Sequence, residues 1–134
     1  MAINYIAIVV SAIVSMIIGS LWYSPLLFGN LWMKLQGFSK KDMGKAKQKG
    51  MGKLYLAAFI GSLLTAGVLG YLIDMVGKSV SSGILIALLA WLGFIVTTLL
   101  GSVLWEGKPV SLYVLNILFH LVNLVVMGLI LGMW

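Results

Sequence analysis

Four apolar runs, Ala2 to Tyr23, Leu54 to Val76, Gly83 to Trp105 and Leu112 to Trp134, occupy most of the 134-residue chain, and each is 22 or 23 residues long. As helices rising about 1.5 Å per residue they reach roughly 33 Å, enough to cross a hydrocarbon core of about 30 Å with a little tilt. Composition agrees: 62% of residues are hydrophobic and 9% charged, against about a quarter charged in soluble domains. The expected fold is all-α and integral to a membrane: one domain, 1–134, of four transmembrane helices at about 2–23, 54–76, 83–105 and 112–134. The first run is long and has no positive leader, so it reads as a retained helix and not as a secretory signal.

The charges set the orientation. All nine cations are lysines, and Lys34, Lys40, Lys41, Lys45, Lys47, Lys49 and Lys53 crowd the segment between the first two spans. The second connection has Lys78 and the third has Lys108. By the positive-inside rule, segment 24–53 is cytoplasmic and both termini lie outside the cell membrane. Those lysines enforce topology and would also attract anionic lipid head groups, at about 1 kcal/mol each near the surface. The aromatic residues stand in the spans and the interface rather than interleaved with these lysines for stacking, so nucleic acid is not an expected partner.

Within 24–53, Ser24 and Pro25 fit an N-cap and first helical position. Leu27, Phe28, Leu31, Trp32 and Leu35 follow at helical spacing, and Gly37 ends the run. This predicts a short interfacial helix directly after the first span. Beyond it, "SKKDMGKAKQKGMGK" starts with a capping-type Ser39 and Asp42 but contains Gly44, Gly50 and Gly52, and reads as a frayed helix or a loop.

The two halves share punctuation. Gly19-Ser20 precedes Trp22 and Pro25; Gly101-Ser102 precedes Trp105 and Pro109. The second and fourth spans also align, Tyr55 with Tyr113, Ser62 with His120, Thr65 with Asn123 and Gly70 with Gly128. The expectation is a duplicated helical hairpin, a parallel repeat about an axis along the membrane normal.

Aligned depth locates a polar layer. Eight residues in from the cytoplasmic ends of the spans stand Ser15, Ser62, Thr97 and His120, each about 12 Å deep. Asn116, His120 and Asn123 share one helix face, as do Asn4, Ser11 and Ser15. Polar side chains facing lipid would lack partners, so Ser11, Ser15, Ser62, Thr65, Thr97, Asn116, His120 and Asn123 are expected to point into the bundle. The layer can be glue, helped by small residues at Ala58, Ser62, Ala66 and Gly70 and at Gly93, Thr97 and Gly101. It can instead hold His120 as a proton-accepting or ligand-holding group, or place that residue at an oligomer interface.

Enzymatic patterns are missing from the sequence. One histidine, no cysteine and three acids cannot build a zinc site. Asp74 and Glu106 fall at opposite membrane surfaces, and no carboxylate stands near His120 to orient it toward a serine. Neither enzymatic activity nor a cofactor is expected. Trp22, Pro25, Trp105, Glu106 and Pro109 read as interfacial motifs, with Trp105 at head-group level.

The stretch "GSLWYSPLLFGNLWMKLQGFSKKD", with its Trp-Tyr-Ser-Pro, Phe-Gly-x-x-Trp and Gly-Phe-Ser elements, resembles an uncharacterised family of small prokaryotic four-span membrane proteins, domain of unknown function 1761. The likeness extends to Trp105-Glu106-Gly107 and to the asparagine and histidine of the last span. It implies the four-span fold and assigns no catalytic or ligand residue.

Two functions follow. One is a structural or interaction module with a packed polar layer, associating with itself, preferably as a dimer, or with a membrane partner through glycine and alanine ridges. The other is a small channel or transporter whose path is lined by His120 and its polar neighbours. Export driven by a carboxylate deep in the first span is disfavoured, because Ile13, Val14 and Ser15 stand there.

Overall fold

Each apolar run forms one long helix, and the four are long and apolar enough to cross a membrane, as in a multi-pass membrane protein. The computed structural model describes residues 4–24, 26–36 and 51–134. Among them the order is α1 (Tyr5–Trp22), α2 (Gly29–Gln36), α3 (Met51–Val76), α4 (Val80–Leu104) and α5 (Val110–Met133), with no strand. Pro25, Gly37, the Ser39 and Asp42 pair, Gly44, Gly50 and Lys40 to Lys49 lie outside the described residues.

Local chemistry places the ends. Asn4 caps α1, its side-chain oxygen accepting the Ala7 N–H at 3.1 Å, and Ser79 caps α4 by accepting the Ser82 N–H at 3.0 Å, each satisfying a donor that a helix start leaves unpaired. Pro109, with ψ 145°, turns the chain into α5. Spans three and four thus begin at Val80 and Val110, a few residues before the apolar count places them, because capping and not hydropathy decides where a helix starts.

Ser24 corrects one expectation. It does not cap α2; its hydroxyl donates to the Leu21 carbonyl at 2.7 Å and helps close α1. The chain then reverses, with the Gly29 N–H on the Ser24 carbonyl at 2.8 Å, and α2 begins only at Gly29. Nor does α2 bury the expected row as one face: Leu27 and Leu31 are exposed, whereas Phe28, Trp32 and Leu35 are partly covered.

Packing divides the bundle into two unlike halves. At the end carrying the termini, Ala7, Ala66, Leu69, Ile73, Ala87, Leu124, Met127 and Leu131 form a buried core. There α4 and α5 touch backbone to backbone. A Cβ on Gly83 would stand 2.8 Å from the Gly128 carbonyl carbon, one on Gly128 would stand 2.9 Å from that of Gly83, and one on Gly132 would meet the Ser79 carbonyl. Without a hydrophobic drive between helices in lipid, such close approach is a main source of attraction.

The third-span ridge expected at Gly93, Thr97 and Gly101 is therefore not the packing ridge. Gly93 has no neighbour within 4 Å and Thr97 is exposed; the seam runs through Ser79, Gly83 and Ala87, one turn apart. On α3 the expected ridge splits. Ala66 is buried and Gly70 meets Leu131, but Ala58 is exposed.

In the other half the helices spread. Trp91–Val96 of α4 is π-helical, and two bonds pin it to α5: the Trp91 indole N–H donates to the Ile117 carbonyl at 2.7 Å, and the Tyr113 hydroxyl to the Val96 carbonyl at 2.8 Å. This half of α4 stays on α5, while the contacts between α3 and α4 are concentrated in Val80–Ala90.

Gly83→Ala should force the α4–α5 seam apart and cost about 1–3 kcal/mol, the usual cost of overpacking. Gly67→Ala, with open space at its Cα, should be neutral or stabilise by up to about 1 kcal/mol. Thermal unfolding in detergent micelles, followed by circular dichroism, separates the two.

Candidate functional site

Where the helices spread they surround a cavity of about 1000 Å³. Its walls come from every long helix. Ser15, Gly19, Ser20 and Tyr23 of α1 face Leu54, Tyr55, Ala58, Gly61, Ser62 and Thr65 of α3; Ile95 and Leu99 come from α4, and Asn116, Phe119, His120, Asn123 and Leu124 from α5. The short helix α2 closes the far end with Trp32 and Met33.

The floor is aromatic and its geometry follows from the reversal at Gly29. A Cβ at that position would stand 2.6 Å from the Ser24 carbonyl carbon and 2.7 Å from its oxygen, so only glycine lets α2 fold back under the bundle. Phe28 then lies 4.6 Å from Trp22 and Trp32 packs edge-on at 5.7 Å from Tyr23. Phe119 joins from α5, 5.3 Å from Tyr23. Such tilted and edge-on pairs are the favoured aromatic arrangements. The Tyr23 hydroxyl donates to Asn116 Oδ1 at 2.8 Å, which ties the end of α1 to α5.

Most of the polar residues named from sequence meet here. Ser15, Ser62, Thr65, Asn116, His120 and Asn123 all line the cavity. They do not satisfy one another as a dry layer would. Ser15 and Ser62 share a bond of 3.3 Å, and the Thr65 hydroxyl donates to its own helix at the Gly61 carbonyl, 3.0 Å. His120 lies 5.0 Å from the Phe119 ring, and among the described residues its ring nitrogens bond to no protein group. Asn123 is only 8% exposed and its Oδ1 has no partner among the described residues.

Two members of the expected layer lie elsewhere. Ser11 is fully buried between helices, its hydroxyl without a partner among the described residues. Thr97 is exposed, donating to the Gly93 carbonyl at 2.7 Å, because a threonine hydroxyl can satisfy itself one turn back along its own helix. The interfacial motifs also separate. Trp22 is packed into the floor, with Phe119 at 6.2 Å, whereas Trp105 is 86% exposed and Glu106 and Pro109 are exposed beside it. Among the described residues no three histidine, cysteine or acidic side chains gather as metal ligands.

Sequence reading missed the cavity itself, the Gly29 reversal and the π-helical turns of α4. Gly29 carried a signal, as the small residue of Phe-Gly-x-x-Trp; the π turns carried none beyond an exposed Gly93.

The fold and site together define an all-α bundle of four helices long and apolar enough to span a membrane, packed solid at one end and hollow with polar walls at the other. The chain belongs to the family described as "Protein of unknown function (DUF1761)", whose model matches residues 6–132. No curated protein and no solved structure matches it.

Tyr23→Phe should remove the tie to Asn116 and lower stability by about 1 kcal/mol. Gly29→Ala should act more strongly by displacing α2, and Trp32 emission should shift toward that of solvent-exposed indole. Unchanged emission in Gly29→Ala would contradict the reversal as described.

Proposed function

We propose that this protein is a small transporter of the cell membrane whose substrate site is the polar-walled cavity, with His120 as its central proton-accepting or ligand-holding group. One observation carries the reading: polar side chains from three spans converge on a space of about 1000 Å³, and His120 and Asn123 are not consumed by bonds to their neighbours. Buried polar groups cost free energy unless they are partnered, and in a membrane unspent ones mark pathways and sites. A channel is less favoured than a transporter, because the core around Ile73 and Met127 fills the end opposite the cavity.

The accompanying orientation is the one drawn from charge: termini outside, and segment 24–53 in the cytoplasm with its lysines against anionic head groups. The cavity then opens toward the cytoplasmic half. No catalysis and no cofactor belong to this reading. A duplicated hairpin is part of the same reading, supported by Ser62, Thr65, His120 and Asn123 all lining the cavity.

The second reading is a structural or interaction module, associating as a dimer. It is favoured by small residues on α3 with open space beside them, Gly61 and Gly67, which would admit another helix closely.

Proton flux in liposomes between about pH 5 and 8, the range in which an imidazole titrates, tests the choice. His120→Ala should lower flux by about tenfold, equivalent to some 1.4 kcal/mol on the barrier. Absence of flux from both proteins overturns transport and leaves the module. Orientation has its own check, because the chain lacks cysteine. Lys40→Cys should react with an impermeant maleimide only from the cytoplasmic side.

A further inference from the structure

We infer that the cavity takes an uncharged amphiphile, which enters sideways from the bilayer through the gap between α3 and the π-helical half of α4. The inference rests on the cavity being a ligand site and does not require that the ligand be transported.

The wall chemistry selects the head group. Among the described residues no lysine or acid lines the cavity, so an ion would lose its hydration with no countercharge to meet it. Its polar members are hydroxyls, carboxamides and one imidazole, which both donate and accept hydrogen bonds. They suit hydroxyl or carbonyl groups. Asn123, nine-tenths buried and with Oδ1 unpartnered, stands with His120 and Ser62 at the deep end. Toward α2 the wall mixes Met33, Leu54 and Trp32 with Tyr23 and Asn116, which are bonded to each other.

The opening selects the tail and the route. Tyr55, Ala58, Gly61 and Thr65 line the cavity and are exposed as well, so this side of α3 is a rim. Gly61 has nothing within 4 Å. Across the gap α4 contributes Ile95 and Leu99, side chains suited to lipid and not to water. The π turns keep α4 on α5 and away from α3, so the gap lies at bilayer depth. A molecule there can bond its head to the deep polar group and leave its tail among the lipid chains. Most of the wall is apolar or aromatic with a few convergent polar groups, the usual character of a small-molecule site.

The test uses a monoacylglycerol with a diazirine near its head, alongside probes with the same tail and a carboxylate or quaternary ammonium head. Each is photolysed with the full chain in liposomes, and the labelled peptides are identified by mass spectrometry. The monoacylglycerol should label 15–23, 54–65 and 116–124 well above the charged probes. Asn123→Ala should reduce this by about tenfold. Gly61→Trp, filling the rim without a clash, should abolish it, whereas Gly67→Trp, on the same helix but off the cavity, should not.

Equal labelling by all three probes would overturn the proposal, since bulk acyl chains would then be filling the gap. So would undiminished labelling of Gly61→Trp, or cross-links showing that a second copy occupies the gap. Labelling without flux removes transport and keeps the site; flux without labelling keeps transport and removes this ligand.

Discussion

The backbone contact between α4 and α5 is the constraint on which the rest of the structure depends. Gly83 and Gly128 bring two main chains together at one end of the bundle, and Gly132 extends the seam to Ser79. Beyond the seam, Trp91 and Tyr113 bond across the same helix pair and keep the outer half of α4 on α5. The contacts of α3 with α4 are concentrated in Val80–Ala90. The cavity is the space left where α3 parts from that pair.

The last span is central to both halves. It touches every other helix, and its apolar stretch is 33% buried, against 11% to 22% for the other three, so it has the most room for side chains such as Asn116, His120 and Asn123 inside the bundle. The same polar groups on the exposed face of α4 would have to bond to their own backbone, as Thr97 does. The aromatic floor completes the arrangement by turning α2 under the bundle and tying α1 to α5 through Tyr23.

This division of labour separates two kinds of small residue. Gly83, Gly128 and Gly29 sit where any side chain would collide with a neighbouring main chain, and they fix shape. Gly61, Gly67 and Gly93 have free space beside them, and Gly61 stands on the cavity rim. Spacing along a helix does not tell these apart, which is why a ridge read from Gly93, Thr97 and Gly101 fell on the wrong face of α4. Likewise Ser24 has the side chain of a helix cap, but whether it serves the helix before or after it depends on where the chain turns, and Gly29 decides that.

Sequence alone determined that the chain forms four long apolar helices, because length and hydropathy leave lipid-buried segments no other way to satisfy their backbones. It also brought Ser15, Ser62, His120 and Asn123 to neighbouring depths, since rise per residue converts position into height. Tertiary structure alone decided whether those groups would meet in a packed layer or around a space. That outcome depends on the distance between helix axes, which is set by contacts between residues far apart in the chain, the close approach of Gly83 to Gly128 and the bond from Trp91 to Ile117, and no local pattern encodes it.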